Sequence, residues 1–276
     1  MHAPRLSTLL LLTVACGSGA GGRGTPERAH GEVTAYTWSD WDVLQYREGY
    51  RVINNVWNKQ AALAPWRQAV FLEMLDGESA FGWQWDWPDA WMVVAAPEVK
   101  YGDNPWDTPS GIETGFPLRP GTKDVVADFD VRLEATGVYN MAFDVWAVSE
   151  LPATTAVLSH EIMIWTLTHD LGPAGEWQGT YDVDGTAFDL YVNPGHHDFT
   201  TPAVWTYIAF VPHDAGDGAP IILEGPLRLS AFFDLLLELD LVLDTTWCAS
   251  VEFVNEVVIG SGVAEITGYE ITVTPR

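Results

Sequence analysis

The stretch Ser159–Trp165, which reads Ser-His-Glu-Ile-Met-Ile-Trp, is the most informative part of this 276-residue chain. Its alternation is typical of a β-strand, in which successive side chains point to opposite faces. Glu161, Met163 and Trp165 therefore share one face, and the two isoleucines between them share the other, which we expect to be core. A carboxylate among apolar neighbours is costly unless it is solvated, paired or used in chemistry. Glu161 is therefore a candidate catalytic residue.

Alternating segments of this kind recur between turns rich in Gly, Pro and Asp. They cover residues 125–133, 139–148, 181–191, 204–211 and 264–274. The dipeptide Asp184-Gly185 within the third segment is a strong signal for a two-residue hairpin turn. Many short strands without interleaved helices predict an all-β fold, as an antiparallel sandwich, a jelly roll or a barrel.

One segment, residues 229–241, has apolar side chains near a helical period instead. We expect a single α-helix packed against the outside of a sheet, with Ser230 as its N-cap. The alternative interpretation is an amphipathic helix that binds a membrane surface.

The N-terminus has the features of a secretory signal. In residues 1–15, Arg5 precedes a short apolar run that is too short to span a bilayer as a helix. Thr13-Val14-Ala15-Cys16 resembles a bacterial lipobox, which makes Cys16 a candidate lipidated N-terminus; ordinary signal cleavage is the alternative. We therefore expect a secreted protein or a cell-envelope lipoprotein that meets the membrane only through a lipid anchor at Cys16.

The rest of the chain is predicted to be a tether and one domain. Residues 16–31 are rich in Gly and read as a flexible tether, and residues 32–276 show no linker that would divide them. The second cysteine, Cys248, has no partner if Cys16 is acylated, so we expect it to be a small buried hydrophobic residue.

Composition limits the class of ligand. The formal net charge of −25 is unsuited to nucleic acids or anionic lipid headgroups, and it favours a neutral or cationic ligand. The chain also contains 14 Trp, 9 Tyr and 11 Phe residues. Flat aromatic rings suit sugars, because sugar rings present apolar faces.

Two further acidic residues lie on predicted strands. In 250–258, Glu252, Val254 and Glu256 share a face, so Glu252 is the nearest rival of Glu256 for a catalytic role. Asp144 shares a face with Asn140 and Trp146 on another strand. Two carboxylic acids on either side of a bond are the minimum machinery for cleaving a glycosidic linkage.

Several blocks of sequence, in order, resemble glycoside hydrolase family 12, the small jelly-roll endoglucanases and xyloglucanases. The blocks are Asn54-Asn-Val-Trp57, Phe81-Gly-Trp-Gln-Trp85, Glu98-Val-Lys-Tyr101, Phe143-Asp-Val-Trp146, Glu161-Ile-Met-Ile-Trp165 and Phe253-Val-Asn-Glu256. The resemblance implies a jelly-roll sandwich with a concave substrate cleft and one packed helix. Asn58, Val254, Asn255 and Val257 depart from the family pattern.

The resemblance also implies a mechanism with retention of configuration. Glu161 is the expected nucleophile, Glu256 the acid/base and Asp144 a residue that holds Glu161 in place. Retention requires the two glutamate carboxyl groups to lie about 5–5.5 Å apart. Because their tasks differ, we expect a raised pKa for Glu256 and an ionised Glu161. Asp144 as a merely structural hydrogen-bond partner is the alternative.

The expected substrate-binding residues are Asn55, Trp57, Met163, Trp165 and Trp85. Trp57 is the expected platform in the non-reducing half of the cleft, with a core position as its alternative. Trp85 fits either the cleft or the core.

No metal or cofactor is expected. The run His196-His-Asp198 lacks an evident third ligand and is read as a solvated loop, and Asp182-Val-Asp-Gly185 as a hairpin rather than a Ca²⁺ loop. The sequence thus predicts a monomeric endo-β-1,4-glucanase acting on cellulose-type chains, mixed-linkage glucan or xyloglucan. The rivals are a non-catalytic glycan-binding lipoprotein on the same fold and a related jelly-roll xylanase.

Overall fold

A computed structural model of the protein describes residues 24–197, 201–214, 216 and 218–276. The expected signal segment and Cys16 lie outside these residues, as does Asp198 of the run His196-His-Asp198. The interpretation of this run as a solvated loop is wrong for His196, which is the last residue of a strand and packs against Trp205 and Tyr207. Within the described ranges, no helix is long and apolar enough to cross a membrane.

The described chain is dominated by β-strands that form one continuous hydrogen-bonded network, wrapped into the two layers of a jelly-roll sandwich. The first layer, called here the outer sheet, contains β1 (Glu32–Thr37), β4 (Arg67–Leu75), β5 (Glu78–Trp87), β15 (Val257–Pro275) and the first half of β7 (Lys123–Val148). The second layer, called here the cleft sheet, contains β2 (Val43–Arg47), β3 (Tyr50–Ile53), β6 (Glu98–Gly102), β14 (Ser250–Val254), the second half of β7, β8 (Leu158–His169), β11 (Trp205–Pro212), β10 (Thr186–His196) and β9 (Glu176–Val183).

Short elements complete the fold. They are the two-residue strands β12 (Leu227–Arg228) and β13 (Trp247–Cys248), which both pair with β7, two 3-10 turns (Lys59–Ala61 and Thr155–Val157) and the helix α1 (Leu229–Glu238). The predicted all-β jelly-roll class with one packed helix is confirmed.

Strand β7 joins the two layers. Its residues 123–139 pair with β15, and its residues 140–148 pair with β8, so the two segments predicted separately form one strand. Where the partners change, Gly137 and Gly260 face each other with φ of +108° and +115°. A Cβ on Gly260 would lie 1.9 Å from the carbonyl oxygen of Thr136, so only glycine fits where β7 and β15 approach this closely.

The alternation predicted for β8 is confirmed. Ile162 and Ile164 are fully buried in the core between the layers. Met163 and Trp165 pack on the opposite face with Tyr207, where they form the floor of a cleft. One detail differs from the antiparallel expectation: β8 and β11, which are separated along the chain by the β9–β10 hairpin, run parallel.

Two local predictions have opposite outcomes. The hairpin at Asp184-Gly185 is confirmed, since both residues have positive φ and Val183 pairs with Thr186. The predicted N-cap is wrong: α1 begins at Leu229 with Arg228 as N-cap, and the hydroxyl of Ser230 donates to Asp124 over 3.3 Å. The helix packs in the core as expected, where Phe232 contacts Phe188 and Phe210 edge to face.

The segment just before β1 lies on the outer sheet. The backbone N–H of His30 donates to Glu265 over 2.5 Å, and that of Gly31 donates to Glu73 over 2.9 Å. Glu73 and Glu265 are both buried. The last part of the expected tether, residues 24–31, is therefore held against the domain, because backbone donors there satisfy two buried carboxyl groups.

Candidate active site

The cleft sheet carries a cleft of about 680 Å³ on its solvent-facing side. Aromatic side chains line much of its length, namely Trp41, Trp57, Trp106, Trp146, Trp165, Trp205 and Tyr207. Among the described residues, the acidic side chains of the lining are Glu98, Asp107, Asp144, Glu161, Glu252 and Glu256, and the Lys and Arg side chains are Arg51 and Lys100. Carboxyl groups therefore outnumber Lys and Arg side chains in the lining, which suits an uncharged polymer better than an anionic one.

Glu161 lies half-buried on β8 in the middle of the cleft sheet. The indole Nε1–H of Trp205 donates to its Oε2 over 2.6 Å. Trp205 is itself buried and contacts Trp146, the residue opposite Glu161 on β7. The Trp205 indole, itself packed against Trp146, thus orients the carboxyl group, as a nucleophile requires.

Asp144 lies on β7 directly opposite Met163 on β8, next to the Glu161 position. It is 6% exposed, and its Oδ1 atom has no hydrogen-bond partner within the protein. Burial raises the pKa of Asp144 well above its usual range, and the nearby charge of Glu161 raises it further. The raised pKa favours the protonated form of Asp144, in which it can donate a hydrogen bond.

Glu256 lies in a two-residue break between β14 and β15, rather than within a strand as predicted. Asn140 holds both ends of the residue: its Nδ2 donates to Glu256 Oε2 over 2.6 Å, and its Oδ1 accepts the Glu256 backbone N–H over 3.2 Å. Burial raises the pKa of Glu256, and the Asn140 bond opposes this rise. The net direction confirms the expected raised pKa and fits a group that must carry a proton.

Asn255, one of the departures from the family pattern, supports this arrangement. Its Nδ2 donates to the backbone oxygen of Asn140 over 2.7 Å, and its Oδ1 accepts the Nε1–H of Trp83 over 3.2 Å. Asn255 is fully buried. It therefore locks the break that carries Glu256 onto β7, and its presence does not weaken the site.

The two glutamates face the same cleft, Glu161 from β8 and Glu256 from the break between β14 and β15. Tyr207 on β11 lies near both: burial raises its pKa well above the usual range, and the charges of Glu256 and Glu161 raise it further. Tyr207 is paired with Glu161 in register. The arrangement supplies an oriented carboxylate and a second carboxyl group of raised pKa, which is the pair that glycoside cleavage needs.

A buried ionic cluster adjoins the acids, and sequence reasoning did not find it. Lys100 lies 3.8 Å from Glu98 and 3.6 Å from Glu252, and all three are almost fully buried. Glu252 also accepts a bond from Asn104 Nδ2 over 2.9 Å. The Ser250 hydroxyl also donates to Glu252 over 3.4 Å. Glu252, the rival of Glu256, is thus engaged by three partners of its own and is opposite Asp144 in register.

The predicted substrate-binding residues divide into two groups. Asn55, Trp57, Met163 and Trp165 line the cleft, and the side chain of Asn55 links the Trp57 backbone N–H to Glu98. Trp85 does not line it: this residue is 1% exposed and packs in the core. Because Trp85 is on the core-facing side of the outer sheet, its sequence block matches the family for reasons of packing.

Trp41 is a cleft residue that sequence reasoning missed. It is 52% exposed, lines the cleft and adopts φ of +61°, which is unusual for an aromatic residue. Its backbone N–H donates to Asn54 over 2.8 Å, which holds the turn in this conformation. No periodic pattern in the sequence could reveal this residue, because a turn places it. Among the described residues, no group of His, Cys, Asp and Glu could hold a metal ion.

A cleft that carries paired carboxyl groups and aromatic rings on a jelly-roll sandwich is typical of the class of glycoside hydrolases. Residues 48–220 match the model of glycosyl hydrolase family 12. The match covers more than half of the chain, so the chain belongs to this family, as its sequence blocks predicted.

Individual relatives agree with this assignment. Endoglucanase S of Pectobacterium parmentieri is 27% identical over 242 residues, which are 85% of this chain and 86% of the relative. The family 12 xyloglucanase from Bacillus licheniformis, solved with a ligand, is 26% identical with a TM-score of 0.75, covering 87% of this chain and all of that one. An endoglucanase from Rhodothermus marinus, 23% identical, shares the fold with a TM-score of 0.67, covering 88% of this chain and 100% of that one.

The chain is therefore a glycoside hydrolase of the endoglucanase and xyloglucanase family. The alternative of a non-catalytic glycan-binding lipoprotein receives no support from these relatives, which are enzymes by name.

Proposed function

We propose that the protein is a retaining endo-β-1,4-glucanase in which Glu161 is the nucleophile and Glu256 the acid/base. The observation that carries this proposal is that two carboxyl groups with different environments line one cleft: Glu161 is bound by the Trp205 indole, whereas Glu256 is bound by Asn140 and has a raised pKa. A nucleophile must be ionised and an acid must hold a proton, so the two environments fit the two tasks.

The proposed reaction has two steps. Glu161 attacks the anomeric carbon, the bond to the leaving oxygen breaks, and Glu256 gives its proton to that oxygen. Glu256 then takes a proton from a water molecule, which attacks the glycosyl-enzyme and releases Glu161. Asp144, buried beside Glu161 with a raised pKa, acts as a neutral donor that holds the nucleophile. A hydrogen bond donated by Asp144 to Glu161 would strengthen as charge returns to Glu161 in the second step.

The proposed substrate is an uncharged β-1,4-linked glucan, such as a cellulose chain, mixed-linkage glucan or xyloglucan. Trp57 provides a flat ring for one sugar, with Asn55 fixing its loop, and Met163 and Trp165 form the floor beside Glu161. The cleft is an open trough on a sheet, which suits cleavage inside a polymer. Its surplus of carboxyl groups selects against glucans that carry acidic substituents.

The experiment that tests the function compares the wild type with Glu161→Gln and Glu256→Gln on cellulose, barley glucan, xyloglucan and xylan. We expect the wild type to release reducing ends from one or more of the three glucans, with a fall in viscosity that precedes most of that release. Each variant should lose at least roughly 10³-fold in kcat, because each removes a group that acts on the reacting atoms.

Glu252→Gln is the matched control, since Glu252 is a buried glutamate of the same cleft. A control variant that loses as much as Glu256→Gln would reassign the acid/base role to Glu252. The anomer formed first, read by proton NMR, tests retention: the β anomer supports double displacement, and the α anomer contradicts it.

We also propose that the protein is exported and, through Cys16, anchored as a monomeric bacterial lipoprotein. The support is the apolar run in residues 1–15 and the lipobox-like Thr13-Val14-Ala15-Cys16. This places the enzyme where a polysaccharide too large for import is encountered.

A further inference from the structure

Trp177 is a large exposed aromatic side chain beyond the end of the cleft. It lies on β9, the last strand of the cleft sheet in this direction, and is 59% exposed. An exposed Trp on an edge strand contributes little to the core, and burying its rings in a contact would remove a large apolar area from water. The position of its ring therefore needs an explanation.

A β-bulge turns Trp177 toward the cleft side of the sheet. Leu190 of β10 pairs with Gly179, but the next residue, Tyr191, pairs with Trp177, so Gln178 is an extra residue. Tyr181 on the same strand packs against the core, and uninterrupted alternation would send Trp177 the same way. Bulges commonly re-aim a side chain in this manner near binding sites.

Hydrogen bonds fix the edge of the Trp177 ring and leave its face free for contact. Its Nε1–H donates to Asp189 Oδ1 over 3.1 Å, and the Thr180 hydroxyl donates to the same atom over 2.5 Å. The Nδ1 atom of His213 lies 2.9 Å from the other oxygen of Asp189. The Asp189 hydrogen-bond network thus orders the indole before any ligand binds, which reduces the side-chain entropy lost on binding.

The surface between the catalytic acids and Trp177 is continuous. Met163, Ala209, Tyr191 and Trp177 are paired in register on β8, β11, β10 and β9, so they form one row across the sheet. Three strand spacings of about 4.8 Å place Trp177 about 14 Å from the Met163 position, measured across the sheet. Trp57 follows β3, which lies on the other side of the acids. The row therefore leaves the cleft in the direction opposite to Trp57.

We propose that Trp177 is a sugar-stacking platform for the distal part of a glucan chain, which runs from Glu161 over Tyr191 to the edge of the sheet. The proposal rests on the glucanase function given above and deepens it: the enzyme binds a longer stretch of polymer than the cleft itself covers. Short oligosaccharides bound at the acids do not reach Trp177, whereas long chains do. Trp177 is thus a residue that determines preference for chain length.

The test compares Trp177→Ala, Trp177→Phe and a matched control, Tyr36→Ala, on a soluble β-1,4-glucan polymer and on its short oligosaccharides. Tyr36 is 41% exposed on β1, the edge strand of the outer sheet. We expect Trp177→Ala to lower kcat/KM on the polymer by roughly threefold to tenfold, mainly through KM, and to affect the short substrates less. Trp177→Phe, which keeps a flat ring, should recover most of this loss, and Tyr36→Ala should match the wild type.

Binding of the polymer by the same Trp177 variants in a Glu161→Gln background, measured by affinity electrophoresis, separates the two proposals. Weaker retardation of the Trp177→Ala form supports the inference. If the wild type cleaves glucan while Trp177→Ala loses equally on long and short substrates, or loses nothing, the inference is wrong and the glucanase function stands. If the wild type cleaves no glucan and binds none, both proposals fail.

Discussion

At the scale of single residues, Asp144 offers the sharpest test of how the nucleophile is held. Burial and the charge of Glu161 both raise its pKa, which favours the protonated form, and asparagine copies the shape of that form and its ability to donate. We expect Asp144→Asn to keep kcat within roughly tenfold of the wild type, whereas Asp144→Ala should lose roughly 10–100-fold, the effect of one hydrogen bond to a charged group. Steady-state kinetics on one polymer measure both. Equal losses in the two variants would mean that Asp144 acts as an ionised group instead.

The sequence predicted some residues of the site and not others, for physical reasons. Glu161 and Asp144 were found because strand alternation places an acid among apolar neighbours. Lys100 was not recognised as part of the site, because its role depends on Glu98 and Glu252 from neighbouring strands. Trp205 shows the same limit: its bond to Glu161 crosses 44 positions of the chain, and no local pattern records that contact.

At the scale of elements, the close approach of β7 and β15 at Gly137 and Gly260 should be the backbone position that least tolerates a side chain. In Gly260→Ala the new Cβ would meet the Thr136 carbonyl at 1.9 Å with φ of +115°, so backbone must move. We expect a loss of more than about 3 kcal/mol in the free energy of unfolding, measured with urea. Gly268→Ala is the control, since it also has positive φ but open space around it, and it should lose only about 1–2 kcal/mol. Similar losses in the two variants would show that the close approach is unimportant.

Elements were predicted well where alternation is regular and poorly where it is interrupted. The strands after Ser159 and the hairpin at Asp184-Gly185 follow from local pattern and turn chemistry. The break that carries Glu256 and the bulge at Gln178 both interrupt the alternation of side chains between the two faces of a strand. The first depends on pairing with β7, and the second depends on pairing with β10. Pairing is a tertiary property, so the sequence pattern alone gave the wrong local structure for Glu256 and no role for Trp177.

At the scale of the whole molecule, stability should fall as pH rises from weakly acid to weakly basic values. Burial, with a neighbouring carboxyl group, raises the pKa of Glu73 from 4.5 to about 7 and that of Glu98 from 4.5 to about 8. Between pH 4.5 and the raised pKa of each group, the folded protein holds a proton that the unfolded chain has already released. The free energy of unfolding therefore decreases as pH rises, by an amount on the order of 1–3 kcal/mol per group. Melting temperatures at pH 5, 6, 7 and 8 measure this trend.

Glu73→Gln gives the control for that trend, because glutamine copies a protonated glutamate. The groups that face Glu73 are Glu265 and His30, with Arg132 and Glu134 adjoining them. The variant should show a smaller drop in melting temperature between pH 5 and 7 than the wild type. A wild-type melting temperature that is constant or rises across this range would contradict the expectation.

The attachment of residues 24–31 to the outer sheet has a consequence for use of the protein on a solid support. Those residues lie on the face of the molecule opposite to the cleft. Coupling the enzyme to a bead or an electrode through its N-terminal side would therefore orient each molecule with the cleft toward the bulk liquid. A bulky insoluble fibre could then approach without colliding with the support, whereas random coupling would hide a share of the molecules face down.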